Sequence, residues 1–253
     1  MSGGEARVLL RLLQGQPRRG TLADRLQGFY APQAEHYDAF RERLLHGRSD
    51  LMALLDPAPG ARVVELGAGT GRNLGFLGER LEALGQVDLV DLCPALLEQA
   101  RRRTRGLANV RVLEADAVTY EPEGPVDCVY LSYALTMIPD WEAALRNALG
   151  MLRPGGTLGV VDFYVSEPDP PPGLARHGPL TRWFWPRWFG HDGVRPDPAH
   201  LKSLRGLLSE HRLVEGRAPV PYLPGLRVPY YIFVGRVAQG PEAHGRPGVD
   251  SAP

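Results

Sequence analysis

Val63-Val64-Glu65-Leu66-Gly67-Ala68-Gly69-Thr70-Gly71 decides the reading of this chain. A short apolar run carries an acid near its end and gives way to three glycines alternating with small residues. An amphipathic pattern follows. The spacing predicts a strand, a tight turn stripped of side chains, and the start of a helix. Glycines in such a turn let the backbone come close to a ligand and take angles that other residues avoid. The acid narrows the choice of ligand. A carboxylate two residues before the first glycine repels a pyrophosphate and attracts a group carrying an ammonium or a sulfonium.

Outward from this turn, strand and helix patterns alternate. Arg62–Leu66 reads as a strand, Asn73–Leu84 as a helix and Gln86–Leu92 as a strand. Pro94 opens a helix to about Thr104, since proline is tolerated in a first turn. Val110–Glu114 and Val126–Ser132 read as strands, Trp141–Leu152 as a helix stopped by Pro154-Gly155-Gly156, and Thr157–Phe163 as a strand. Such alternation predicts an α/β fold whose parallel sheet is covered on both faces. Leu201–His211 reads as a helix. Arg212–Val220 and Tyr230–Arg236, with no crossover helix between them, read as an antiparallel pair at the sheet edge. Upstream, Leu22 to Leu55 has helical spacing broken by Pro32. From Ser166 to His200 the periodicity disappears. That predicts a flexible arm over 1–20, a single domain over 21–237 with an N-terminal helical lid and a cap insertion at 166–200, and a disordered tail over 238–253.

The bulk composition excludes several classes. The net charge of zero gives no support for a nucleic-acid partner. The two cysteines, Cys93 and Cys128, lie apart in apolar elements, so neither a disulfide framework nor a metal site is expected. No apolar run is long enough to span a bilayer, and the N-terminal stretch lacks the pattern of a signal peptide. A cytoplasmic location is the expectation.

In an open parallel sheet, ligands sit beyond the carboxyl ends of the strands. Four segments are expected on that edge: the glycine turn, Asp91 with Leu92, Asp116-Ala117, and Ser132-Tyr133. With Leu152-Arg153-Pro154-Gly155-Gly156-Thr157-Leu158, this ordered set resembles the motifs of class I S-adenosylmethionine-dependent methyltransferases. The resemblance covers roughly residues 50–163 and the terminal hairpin. It implies a Rossmann-like, seven-stranded, mostly parallel sheet with an antiparallel last strand, and S-adenosyl-L-methionine as cofactor. Under that reading Gly67, Ala68, Gly69 and Gly71 pack against the methionine part of the cofactor. Glu65 receives its ammonium directly or through water. Asp91 pairs with the ribose hydroxyls, and its neighbour Asp88 faces outward in mid-strand. Asp116 accepts from the adenine amino group and the Ala117 amide donates to a ring nitrogen. Ser132 and Tyr133 line the transfer site.

The acceptor is expected to be chosen by the lid and the cap. Tyr37-Asp38, His46-Gly47-Arg48, Trp188-Phe189, His191-Asp192-Gly193-Val194 and Pro221-Tyr222-Leu223-Pro224-Gly225 are similar to segments of the methyltransferases that build betaine lipids. The resemblance implies N-methylation of a diacylglyceryl-homoserine amine, with Tyr37, His191, Asp192 and Tyr133 as candidate catalytic groups. Trp183, Trp185 and Trp188 interleaved with Arg182 and Arg187 suit a peripheral contact with a membrane surface. They also suit a packed cap. The alternatives are a methyltransferase for a soluble small molecule with an N, O or C acceptor, and a cofactor-binding protein without turnover. The oligomeric state is not legible.

Overall fold

Strand β1 (Arg62–Leu66) runs through the middle of a seven-stranded sheet in the computed structural model, which describes residues 19–33, 42–221 and 223–239. The other strands are β2 (Gln86–Asp91), β3 (Val110–Glu114), β4 (Val126–Ser132), β5 (Leu152–Phe163), β6 (His211–Pro219) and β7 (Arg227–Arg236). Their order is β3-β2-β1-β4-β5-β7-β6. The first five are mutually parallel, and β7 is antiparallel to both of its neighbours. The chain order reverses between β1 and β4, which opens a crevice at the carboxyl ends of the strands.

Alternation along the strands builds two apolar layers. Val63, Val87, Leu89, Tyr130, Val161 and Phe163 face one way, with Leu51, Met52 and Leu55 of helix α2 (Arg48–Leu55). Val64, Leu66, Val90, Val129, Leu131 and Val160 face the other. Helices α5 (Trp141–Met151) and α7 (Pro198–Leu207) cover that second layer through Leu145, Ala148, Leu201 and Leu204. Helix α1 (Leu22–Tyr30) begins with a capping box between Thr21 and Asp24 and packs Phe29 and Tyr30 on Leu96 of helix α4 (Pro94–Arg103).

The structure departs from the sequence pattern in several places. The single helix expected over Asn73–Leu84 is a 3-10 turn, Arg72–Phe76, followed by the four-residue helix α3 (Arg80–Ala83). Gly78 sits at φ +55°, a left-handed conformation that interrupts the helix. The cap segment is not irregular throughout: it contains α6 (Pro179–Gly190), with Pro179 in its first turn and Pro186 inside it. Its aromatics point to both the core and the surface, so no single apolar stripe marked it. Helix α7 begins at Pro198 rather than Leu201 because Asp197 caps it, accepting from the Ala199 amide. Asp88 does not face outward. It is 1% exposed and accepts from Arg111 at 2.8 and 3.0 Å and from the Tyr120 hydroxyl at 2.8 Å. Burial pushes its pKa up, but Arg111, Tyr120 and Gln86 outweigh that and hold it below the ordinary range. Residues 1–18, Tyr37, Asp38, Tyr222 and residues 240–253 lie outside the described residues.

Candidate active site

The glycine turn leaves β1 under tight constraint. Gly67 has φ +74°, and a Cβ there would come within 2.4 Å of the Ala134 Cβ, so only glycine fits. The turn spends its amides within the protein. Gly67 and Ala68 donate to the Val90 carbonyl, Gly71 to that of Ala68, and Gly69 to an Asp91 oxygen at 2.7 Å. These four N–H groups are therefore not a cradle for a pyrophosphate, in agreement with the reading drawn from Glu65.

A cleft opens over this turn. Its walls include Gly67, Ala68, Gly69, Asp91, Leu92, Asp116, Ala117, Ser132 and Tyr133, all expected from sequence. Asp91 also accepts from the Cys93 amide at 2.8 Å. Burial raises its pKa while the amides of Cys93, Gly69 and Leu92 pull it back. Asp116 uses one oxygen on the Val118 amide at 2.9 Å, which fixes its side chain at the end of β3. Ser132 Oγ is buried and has no hydrogen-bond partner among the described residues. Gly71 lies behind the wall against Leu89 and Ala100.

Glu65 was expected to receive the ammonium directly or through water. It is fully buried and is absent from the cleft wall. One oxygen accepts from Asn73 Nδ2 at 2.6 Å and the other from the Tyr130 hydroxyl at 2.8 Å. Burial raises its pKa to about 7, against the opposing effects of Asn73, Tyr130 and Arg48. Asn73 itself lines the cleft, and its Oδ1 has no hydrogen-bond partner among the described residues.

Tyr133, just past the carboxyl end of β4, has φ +55°, a strained conformation for a non-glycine residue. Its hydroxyl donates to the His46 carbonyl at 2.6 Å, which ties the end of β4 to the chain before α2. Burial drives its pKa well above the ordinary tyrosine range. Behind it the Phe163 ring packs tilted against Tyr133 at a centroid spacing of 4.6 Å, Phe189 stacks on Phe163 at 4.7 Å, and Trp185 stacks on Phe189 at 5.5 Å. The cap thus reaches the site through β5, and supplies no residue of the cleft wall. His191 is exposed at the end of α6, and neither it nor Asp192 lines the cleft.

Sequence reasoning did not single out Arg48, Arg72 or Asn73 as site residues, whereas the wall of Leu22, Leu26 and Tyr30 from α1 falls within the expected N-terminal lid. Helix α1 is fastened over α4 by Gln27, whose Oε1 accepts from the Ala95 amide at 3.1 Å. The spacing of Leu22, Leu26 and Tyr30 on one helical face was the available signal. Arg48 is 8% exposed, donates to the Leu45 carbonyl and lies 5.6 Å from the Phe76 ring.

A cleft with carboxylates at the ends of β2 and β3, buried oxygens on Asn73 and Ser132 that lack partners among the described residues, and an apolar lid fits an adenosyl group joined to an amino acid. Comparisons with known proteins agree. Residues 63–156 match the family described as Methyltransferase domain. A demethylmenaquinone methyltransferase from Thermus thermophilus is 36% identical over 61% of this chain and 70% of its own length. An uncharacterised transposon protein from Streptomyces fradiae is 37% identical over 48% of this chain, which spans only 34% of that protein. Among solved structures, a phospholethanolamine N-methyltransferase from Haemonchus contortus, in complex with phosphomonomethylethanolamine and S-adenosylhomocysteine, superposes with a TM-score of 0.66 at 14% identity. It covers 88% of this chain and 62% of that one, a likeness of fold.

Proposed function

Because the chain belongs to the class I S-adenosylmethionine-dependent methyltransferases, we propose that it N-methylates the amino group of a diacylglyceryl-homoserine-type lipid presented at a membrane surface. The observation that carries the lipid part is on α6. Leu180 and Trp183 are 74% and 57% exposed, and the Arg187 guanidinium lies 5.2 Å from the Trp183 ring. Exposed apolar side chains beside arginine suit the boundary between acyl chains and anionic head groups. The opposite face of α6 carries Trp185 and Phe189, which stack through Phe163 on Tyr133. A surface suited to lipid is thereby joined by one helix to the transfer edge. Among the described residues no helix is long and apolar enough to cross a membrane, so the contact proposed is peripheral.

The cofactor supplies a methyl group already activated on a sulfonium. The residues then have to align it with the acceptor and exclude water. Asp91 and Asp116 are assigned to the ribose and the adenine, and the turn from Gly67 to Gly71 to the methionine part. Ser132 Oγ and the Tyr133 ring form the wall where the acceptor nitrogen enters. Tyr133 keeps its proton, being committed to His46, and acts as a positioning group. The amine loses a proton to water before it attacks. With the cofactor bound, the amine's lone pair would form the nitrogen–carbon bond as the carbon–sulfur bond breaks and leaves its electron pair on sulfur, and the methylated ammonium would shed another proton to water before a second transfer. Tyr37, which lies outside the described residues, remains a proposed contact to the cofactor or the acceptor.

A second reading is favoured by the similarity to the Thermus enzyme, whose name gives a quinone as its substrate: methylation of a ring carbon in an apolar acceptor. Incubation with labelled S-adenosylmethionine and separated amine-lipid and quinone fractions distinguishes the two. Label in the amine lipids is expected, whereas label in the quinones alone would replace the proposal.

A further inference from the structure

We propose that Asn73, held in place by Glu65, receives the α-ammonium of the cofactor's methionine end, and that Glu65 acts through Asn73 rather than by direct contact. Glu65 is fully buried behind the cleft wall, and both of its oxygens already have donors, Asn73 at 2.6 Å and Tyr130 at 2.8 Å. An ionised carboxylate only accepts hydrogen bonds, so it fixes the amide with Nδ2 toward itself. That leaves the carbonyl end of Asn73 as the free one. Asn73 is 6% exposed and lines the cleft, and its Oδ1 has no partner among the described residues. A buried acceptor left unpaired is costly, and native structures rarely keep one without a donor to receive. An ammonium offers three donors. The bond to Glu65 also polarises the amide and makes its oxygen a better acceptor.

The position selects the cofactor over the acceptor as the source of the ammonium. Asn73 sits two residues after Gly71, on the 3-10 turn that continues the glycine turn. Among the described residues, the charged and titratable groups acting on Glu65 are Arg48 at the start of α2, Tyr130 on β4 and Asp91 on β2. Arg48 lines the same cleft, so an amino acid placed there meets a cation for its carboxylate and an acceptor for its ammonium.

The test measures binding, in the absence of any acceptor, to the whole chain. The probes are S-adenosylhomocysteine, its analogue with hydrogen in place of the α-amino group, and 5′-methylthioadenosine, which lacks the amino acid altogether. The wild-type chain should bind S-adenosylhomocysteine at least tenfold more tightly than the deaminated analogue. Asn73→Ala should erase that preference and leave affinity for 5′-methylthioadenosine within about twofold. Asn73→Thr, nearer in volume, serves if the alanine variant does not fold. An unchanged preference in the variant, or no preference in the wild type, would overturn the proposal. An equal loss for all three probes would do so as well, because it would mean that Asn73 only shapes the turn. Failure of the wild type to bind any adenosyl probe would instead count against the cofactor assignment itself.

Discussion

Glu65 holds a charge where burial opposes it, and this has consequences for both stability and binding. Its folded pKa of about 7 lies above the ordinary value of 4.5. A raised carboxylate pKa means that the folded state keeps a proton which the unfolded state gives up. Glu65 therefore costs stability progressively as pH rises from about 4.5 to 7, and the full cost persists above that. Glu65→Gln should make the cofactor-free chain more stable at pH 8, by up to about 3 kcal/mol, with little change near pH 4.5. Chemical denaturation at the two pH values checks this. In the wild type a bound ammonium should favour the ionised form, so S-adenosylhomocysteine should bind with proton release near pH 7 and more tightly at pH 8 than at pH 6. Calorimetry in buffers of different ionisation enthalpy measures the released proton. At this scale the spacing of Glu65, Gly67, Asp91, Asp116 and Ser132 was legible because the chemistry of the turn demands those residue types. Asn73 was hidden because an amide in an amphipathic run looks like a solvated face. Asp88 was misread because its partner Arg111 is 23 positions away on the next strand.

The elements explain why the site is rigid on one side and openable on the other. Gly67 joins left-handed backbone to a contact with Ala134 that no side chain tolerates. Gly67→Ala should lose roughly 1–2 kcal/mol from conformation alone, more from the overlap, and cofactor binding with it. Thermal unfolding and S-adenosylhomocysteine titration read both effects. The lid is held more lightly. Helix α1 meets α4 through Gln27 and a small apolar patch. Gln27→Ala should leave the melting temperature almost unchanged and speed the release of S-adenosylhomocysteine, measured by stopped flow. The seven strands were legible in order, since each run of β-branched residues is bounded by a turn, but β5 begins at Leu152 and β7 at Arg227, five and three residues before the expected starts, because proline and glycine there read as breakers. Two helical segments were not. Gly78 ends one early, and α6 carries Pro186 and aromatics on two faces, so its periodicity is blurred although its packing is well defined.

At the scale of the whole molecule, one helix links the surface to the site. The three tryptophans grouped in sequence separate in space: Trp183 is exposed, Trp188 half-buried and Trp185 3% exposed. They should therefore behave differently. Leu180→Asp with Trp183→Asp should weaken binding to anionic vesicles and lower activity on bilayer substrate, with stability and activity on a soluble head-group analogue preserved. Trp185→Ala should destabilise the fold by about 3–5 kcal/mol and lower activity on both substrates. Sedimentation with vesicles and unfolding curves separate the two. The acceptor was the least legible feature, because it depends on how α1, Tyr133 and α6 meet, which the order of motifs does not encode. The most direct test is to incubate the chain with S-adenosylmethionine carrying a deuterated methyl group and vesicles containing diacylglyceryl-homoserine, and to record the lipid masses. Stepwise gain of deuterated methyl groups on the head-group nitrogen is expected. An unlabelled head group, with label instead in quinones or water-soluble acceptors supplied in parallel, would contradict the account.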